Sequence, residues 1–238
     1  MQARRPSPPE RPEPPEHRAS IAVSLQGPES QPTAARRRRA GVGGRRRVGH
    51  ADSRLPQVLD AAAQLFCRLG YQGATVRDIA LAVGMLPGSI YSHFAAKEDL
   101  LVAVYRRGVD QIIAAVEQAV QPHGAAWARL EAACIAHLEA ILRDDDYARV
   151  VVRVRPAELG RAAARLVRER DRYEALWVAL IRALPMPAGS DRRSLRLLLL
   201  GALNWSPHWY RPRGPATPRR IARRFLALLR RGDGEALP

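Results

Sequence analysis

The sequence is poor in cysteine, lysine and aromatic side chains, and these shortages exclude several classes of protein. Its 238 residues contain two cysteines, Cys67 and Cys134, and no cysteine–histidine cluster with the spacing of a zinc site. Both cysteines lie within apolar helical patterns, so we expect buried, unpaired thiols in a reducing compartment. We therefore expect no disulfide, no metal site and no cofactor.

Long apolar runs and catalytic motifs are also missing. The most apolar stretch, residues 195–203, is far shorter than the roughly 20 residues of a membrane-spanning helix. The N-terminus has arginine but no apolar core, which does not fit a secretory signal. We find no glycine-rich phosphate loop, no nucleophile elbow and no plausible pair of catalytic carboxylates. The acids of residues 144–146 would point in different directions from a helix start. We expect a cytoplasmic protein that is not an enzyme, has no catalytic residues and does not enter a membrane.

Positive charge is what the sequence has in excess. The formal net charge is +16, and Lys97 is the one lysine among 39 basic residues. This charge predicts a polyanionic partner, with double-stranded DNA as the first candidate. The arginine bias suggests a GC-rich genome, so arginine at a given position says little about the geometry required there.

Residues 1–52 differ in composition from the rest of the chain. They are rich in proline, arginine, serine, glutamate and glycine, and they include the arginine runs 36–39 and 45–47. Such a segment cannot form a hydrophobic core, so we predict a disordered extension. Two interpretations remain open: an arm that adds phosphate or minor-groove contacts, or sequence upstream of the natural start of the chain.

Residues 75–98, TVRDIALAVGMLPGSIYSHFAAKE, have the spacing of a helix-turn-helix. Thr75 is a good N-cap, and Asp78 three residues later gives a weaker form of the capping box. Gly84 can adopt the left-handed conformation that ends a helix, and Pro87 suits the first turn of the next one. Apolar residues at helical spacing give the two helices buried faces: Val76, Ile79, Ala80 and Val83, then Ile90 and Phe94.

The segments on either side are helical in pattern. An upstream apolar stripe predicts a scaffold helix that Gly70 ends: Val58, Ala62, Leu65, Phe66 and Leu69. Downstream we predict helices over residues 98–120, 125–143, 147–154, 160–184, 190–204 and 218–231. Residues 147–154 are β-branched, but a lone strand would have no partner, so we predict a helix.

The run VLDAAAQLFCRLGYQGATVRDIALAVGMLPGSIYSHFAAKEDLL resembles the DNA-binding domain of the TetR family of bacterial transcriptional regulators over residues 55–101. The resemblance implies DNA contacts by Thr75, Val76, Arg77, Leu86, Pro87, Gly88, Ser89, Tyr91, His93 and Lys97, the last of these to phosphate. Amides and hydroxyls at a helix start suit phosphate oxygens. Tyr91 and His93 could instead only pack and cap within the domain. The recognition helix has no arginine or lysine, so no base preference is predicted.

The C-terminal run LLLLGALNWSPHWYRPRGPATPRRIARRFLALL resembles a TetR subgroup that controls acyl-CoA, fatty-acid and steroid-ring catabolism. In that subgroup the last two helices form a four-helix dimer interface. The resemblance implies an interface of Leu197, Leu200, Gly201, Leu203, Ile221, Phe225, Leu228 and Leu229. The alternative is that this surface packs only within the monomer. A homodimer would space two recognition helices about 34–36 Å apart on a palindromic operator.

Members of the family usually bind a small molecule between the connecting helix and the C-terminal helices, and then release DNA. The implied candidates are Trp127, His137, Arg168, Arg172, Tyr173, Trp177, Asn204, Trp205 and Trp209. The group formed by Arg168, Arg172 and Tyr173 would suit the phosphates of an acyl-CoA thioester. The alternative is that the aromatic residues are core and the arginines are solvated.

The predicted fold is therefore all-α, with a disordered extension over residues 1–52. A three-helix DNA-binding domain with the helix-turn-helix follows over 53–101, and a helical effector-binding and dimerisation domain over 102–238. The predicted function is a homodimeric repressor that a small-molecule effector releases from its operator. The competing prediction is a basic protein that coats DNA without sequence preference.

Overall fold

A computed structural model describes residues 54–156 and 159–232, and within these ranges the chain forms nine α-helices and no strand. The predicted disorder of residues 1–52 lies outside the described residues. The helices are α1 Leu55–Gly73, α2 Val76–Ala82, α3 Pro87–Tyr91, α4 Lys97–Val120, α5 Ala126–Leu142, α6 Asp146–Arg153, α7 Ala163–Arg182, α8 Arg192–Trp205 and α9 Pro218–Gly232. Each predicted helix is present within a few residues of its expected ends, and the all-α prediction is confirmed.

The N-cap of α2 and the turn between α2 and α3 have the structure that the sequence predicts. Thr75 Oγ1 accepts a hydrogen bond from the Asp78 N–H at 3.1 Å, and Asp78 Oδ2 accepts one from the Thr75 N–H at 3.1 Å. These two bonds complete the capping box at the start of α2. Gly84 has a φ of 62°, which lets the chain turn after α2, and Pro87 is the first residue of α3.

The scaffold helix α1 buries its predicted stripe except at one end. Val58, Leu65 and Phe66 are buried, but Leu69, the last residue of the predicted stripe, is 46% exposed. Leu69 lies in the last turn before Gly70, whose φ of 72° breaks the helix, and it lines an open cleft between α1 and α6. The helical spacing is the same there, but no helix among the described residues covers that turn.

Helix α4 packs against α1, α5, α6 and α7, and it carries buried side chains along its whole length. Helix α6 crosses it at Gly108, where an added Cβ would lie 2.7 Å from Val151 Cγ2 and 2.9 Å from the Tyr147 carbonyl oxygen. Only glycine permits this close approach. The crossing places α6 against both α4 and α1.

Both cysteines are free thiols, as predicted, but they differ in burial. Cys134 is fully buried in α5, and burial raises the pKa of its thiol. Cys67 is only half-buried, which corrects the expectation for it. It lies in α1, and its carbonyl oxygen accepts a hydrogen bond from Arg153 Nη1 of α6 at 3.0 Å.

Several residues predicted for the dimer interface are in the core of the chain itself. Leu200, Leu203 and Ile221 are at most 7% exposed, so their side chains pack within the monomer. Phe225 and Leu229 are half-buried against that core. Among the predicted set, Leu197, Gly201 and Leu228 are exposed, and Leu198 and Trp205 add apolar surface that was not predicted. Helical spacing marked a buried face correctly, but the chain's own helices bury most of it.

Candidate DNA interface and effector cavity

The outer face of α2 and α3 presents a small, nearly uncharged surface. Leu86 is 76% exposed and Tyr91 52% exposed, and both flank the start and end of α3. The other exposed members of the predicted DNA-contacting set are Thr75, Arg77, Gly88 and Ser89, with Pro87 half-buried. Ile90 is buried and holds α3 against the domain core. These positions are accessible to a partner of the helix-turn-helix.

Two residues predicted to contact DNA point inward instead. The Val76 side chain is 6% exposed, which leaves only its backbone N–H, at the first turn of α2, to meet a phosphate. His93 is half-buried, and its Nε2 is buried without a hydrogen-bond partner in the described residues. This placement favours packing within the domain for His93, the alternative to DNA contact. Tyr91 remains on the accessible face.

Lys97 holds the domain together rather than projecting from it. Its Nζ donates hydrogen bonds to the carbonyl oxygens of Tyr71 at 2.8 Å and Ala74 at 3.0 Å, and it lies 4.3 Å from the centroid of the Tyr71 ring. Burial and the neighbouring Glu98 raise the pKa of Tyr71 to about 12. This placement favours a clamp within the domain over the predicted phosphate contact, because two of the three ammonium hydrogens are already used within the chain. The phosphate contact itself stays a prediction.

The charge of the DNA-binding domain is balanced, in contrast to the whole chain. Residues 54–101 contain four basic and four acidic side chains. Residues 192–232 contain eleven arginines and no acid. The net charge of the protein therefore does not reside on its helix-turn-helix.

A partly open cavity of about 350 Å³ lies between α4, α5, α6, α7 and α8. Its wall is mainly aliphatic, and a few polar groups are placed among the apolar ones. Its lining includes Tyr105, Val109 and Ile112 from α4, His137 and Ile141 from α5, Val151 and Val152 from α6, Arg170, Tyr173 and Glu174 from α7, and Leu197, Leu200, Gly201 and Asn204 from α8. Such a volume and wall are typical of a small-molecule site.

A buried polar cluster forms part of this wall. His137 Nδ1 and the Tyr173 hydroxyl are 2.6 Å apart, and the Trp177 ring packs edge-on against both rings. Burial lowers the pKa of His137 to about 4, so the imidazole is neutral, and burial raises the pKa of Tyr173. His137 Nε2 has no hydrogen-bond partner in the described residues, although Asn204 is its neighbour. An unpaired buried polar atom is costly, and a bound oxygen atom could satisfy it.

Comparison with known proteins identifies the family. Residues 58–104 match the model for bacterial regulatory proteins of the tetR family, and residues 123–232 match the tetracyclin repressor-like C-terminal domain. The HTH-type transcriptional repressor KstR2 of Mycobacterium tuberculosis strain H37Rv is 30% identical over 190 residues, which are 76% of this chain and 94% of that protein. The chain belongs to the TetR family.

Other relatives agree with this assignment. KstR2 of Rhodococcus jostii strain RHA1 is 31% identical over 193 residues, covering 78% of this chain and 92% of that one. The solved structure of the ketosteroid transcriptional regulator KstR2 of M. tuberculosis aligns with a TM-score of 0.60 at 27% identity, covering 77% of this chain and 96% of that one. AibR in complex with isovaleryl coenzyme A and operator DNA has a TM-score of 0.65 at 23% identity over 74% and 97% of the two chains, which shows the shared fold. As a TetR-family member, the chain is a DNA-binding transcriptional regulator.

Of the residues predicted to bind an effector in this TetR-family protein, three lie together in the cavity wall. They are His137, Tyr173 and Asn204, and the Trp177 ring packs against the rings of His137 and Tyr173. Arg172 forms ion pairs with Asp110 at 2.5 Å and with the buried Glu169 at 3.1 Å, and Arg168 is exposed. The arginines therefore do not join Tyr173 in one phosphate-binding group.

The three other tryptophans predicted for the effector site lie elsewhere. Trp127 packs beneath Arg230, whose guanidinium carbon is 5.2 Å from the ring centroid. Trp205 is exposed and stacks on His208 at 3.8 Å, and Trp209 is exposed beside Phe225. None of the three lines this cavity, because aromatic character does not reveal which side of a helix faces a cavity, and their part in effector binding stays a prediction.

Much of the cavity wall was not predicted as a site. Tyr105, Val109 and Ile112 recur along one face of α4, and this spacing could have marked them as a shared surface. Arg170 and Glu174 gave no such signal. Within the described residues, no helix is long and apolar enough to cross a membrane, and no group of three side chains is placed to hold a metal ion.

Proposed function

We propose that this regulator is a homodimeric repressor that a small molecule entering the five-helix cavity releases from a palindromic operator. The observation that carries the proposal is an apolar cavity with an unsatisfied buried polar atom, His137 Nε2, in the same chain as an accessible helix-turn-helix face. Relatives named as transcriptional repressors support repression over activation. Exposed apolar side chains on α8 and α9, including Leu198, Trp205 and Leu228, supply surface that a second copy would cover.

Helix α6 is the element that would connect the cavity to the DNA-binding domain. Its Val151 and Val152 line the cavity. On the same helix, the Tyr147 hydroxyl donates a hydrogen bond to Asp60 Oδ1 of α1 at 2.6 Å. An effector that displaces α6 would therefore move or break a contact to the scaffold of the helix-turn-helix. The effector acts only through its different affinities for the DNA-bound and released arrangements.

An acyl-CoA thioester is the effector class that we propose to test first. The cavity would take the acyl portion, because its wall is mainly aliphatic, and the thioester carbonyl oxygen would accept a hydrogen bond from His137 or Asn204. A volume of about 350 Å³ is near the lower end for ligand sites, so the nucleotide portion would remain outside it. Exposed arginines such as Arg168 would meet its phosphates there.

The test begins with an operator selected from random DNA and measured by fluorescence anisotropy. Acyl-CoA thioesters of increasing chain length should displace the protein, whereas the matching free acids should not. No displacement by any thioester would reject this effector class. Sedimentation of the protein–operator complex should give two chains per operator, and one chain would reject the dimer.

A cavity-blocking variant separates binding in the cavity from binding elsewhere. Val152→Trp should fill the cavity and abolish displacement while operator binding persists. Val178→Trp is the matched control, because Val178 is 49% exposed on α7 and does not line the cavity. Equal responses of the two variants would place the effector outside the cavity. A DNA-coating protein, in contrast, would lose the selected operator to an excess of unrelated competitor DNA.

A further inference from the structure

Leu86 is a large apolar side chain that is exposed to solvent at the start of the recognition helix, α3. It is the N-cap residue of α3 and is 76% exposed. The following residue, Pro87, fixes the start of the helix, and Ile90 anchors α3 in the core. The position of Leu86 is therefore set by its neighbours, although its own side chain is largely uncovered. A fixed, exposed leucine is suited to an apolar contact in the complex.

The other exposed side chains of α3 limit which bases the helix can recognise. The exposed side chains between Leu86 and Ser92 are Ser89, Tyr91 and Ser92, with no arginine or lysine. The Ser92 hydroxyl donates a hydrogen bond to the Ser89 carbonyl oxygen at 2.7 Å, so its proton is already used. Bidentate readout of guanine, which needs a long basic side chain, is therefore not possible from α3.

Thymine carries the apolar group that such a surface can recognise. In the major groove its 5-methyl group distinguishes it from the other bases by a contact that needs no hydrogen bond. We propose that Leu86 packs on a thymine methyl group in each operator half-site and thereby specifies thymine at that position. This inference rests on operator binding through the helix-turn-helix, and it adds which base is read and by which side chain.

The experiment removes one methyl group from the DNA at a time. After selection of the operator from random sequences, each thymine of a half-site is replaced by deoxyuridine, which lacks only the 5-methyl group. At one thymine per half-site, the replacement should weaken binding about fourfold, as expected for roughly 0.8 kcal/mol per buried carbon group. Other thymines should tolerate the change. If no thymine in the operator is sensitive to loss of its methyl group, the proposal is wrong.

Two leucine variants test whether the sensitivity to the thymine methyl group arises from the Leu86 side chain. Leu86→Ala should bind the thymine and deoxyuridine operators equally. Leu81→Ala is the matched control, because Leu81 is 78% exposed but lies at the end of α2, and it should keep the fourfold difference. A methyl effect that persists in Leu86→Ala would overturn the assignment to Leu86.

The selection step also distinguishes a failure of the Leu86 proposal from a failure of the proposed operator binding. An enriched operator without a methyl-sensitive thymine rejects readout by Leu86 and leaves operator binding intact. A selection that enriches no sequence rejects both. Circular dichroism of the two variants, each changed at an exposed side chain, should match that of the parent chain, and binding of each to the parent operator confirms a folded DNA-binding domain.

Discussion

Lys97 fixes the start of α4 against the turn that precedes α2. Its ammonium group donates to two carbonyl oxygens and covers the Tyr71 ring. Lys97→Met should therefore lower the free energy of unfolding by about 2 kcal/mol, the usual range for hydrogen bonds from a charged donor. Urea denaturation measures this loss. The slope of log Kd against log salt for operator binding should stay unchanged, because no phosphate contact is removed.

Arg77 provides the comparison for Lys97. Its side chain is exposed at the first turn of α2, so Arg77→Met should leave stability nearly unchanged. If Arg77 contacts a phosphate, the salt slope should fall by about 0.9 for each chain bound to the operator. A Lys97→Met protein that is fully stable but has a reduced slope would restore Lys97 as a phosphate contact.

His137 makes the stability of the second domain depend on pH. Burial lowers its pKa from 6.5 to about 4, so the unfolded chain takes up a proton at a higher pH than the folded chain does. Stability due to this group is complete above pH 6.5 and decreases as the pH falls towards 4. The loss is on the order of 3 kcal/mol, from the shift in pKa.

Replacement of His137 by glutamine should remove this pH dependence. Free energies of unfolding for the parent and His137→Gln are measured by urea denaturation between pH 7.5 and 4.5. Their difference cancels the contribution of carboxylates that titrate in both proteins, and it should narrow as the pH falls. Parallel profiles would show that His137 is not buried as a neutral ring.

Helix α6 depends on a glycine in a different helix. An alanine Cβ at Gly108 would lie 2.7 Å from Val151 Cγ2 and 2.9 Å from the Tyr147 carbonyl oxygen, closer than real contacts allow. Gly108→Ala should therefore push α6 away from α4 and destabilise the protein by about 1–3 kcal/mol, despite the better helix propensity of alanine. Urea denaturation again gives the value.

Gly88→Ala is the control for Gly108→Ala. An added Cβ at Gly88 meets no atom within 4 Å, so this variant should be as stable as the parent or slightly more stable. If both variants were equally stable, the close crossing of α4 and α6 would be wrong. If both were destabilised, the effect would not be specific to the crossing.

The helices were predictable because their signals are local, whereas the cavity is not. Thr75, Gly84 and Pro87 fix helix ends through bonds and backbone angles a few residues long, and the structure has them as predicted. The cavity draws its wall from five helices spread over residues 105–204, and the sequence does not show which faces meet. For the same reason Leu203 and Ile221 were assigned to a partner chain: periodicity marks a covered face without identifying what covers it.

At the scale of the whole molecule, charge is separated from the recognition surface. The four basic side chains of residues 54–101 are matched by four acids, whereas residues 1–52 include the arginine runs 36–39 and 45–47. If the extension acts as an arm, its arginines should supply phosphate contacts that the balanced domain cannot. Each neutralised phosphate steepens the dependence of log Kd on log salt by about 0.9.

A chain that begins at Ala51 tests the arm directly. The full chain should show a salt slope steeper by about 3 or more, since several of the seven arginines in the two runs would meet phosphates. Replacing those seven residues by glutamine in the full chain should give the same slope as the shortened chain, which separates charge from length. Identical slopes for all three proteins would reject the arm, and the operator affinity would then arise entirely from the helix-turn-helix and the residues around it.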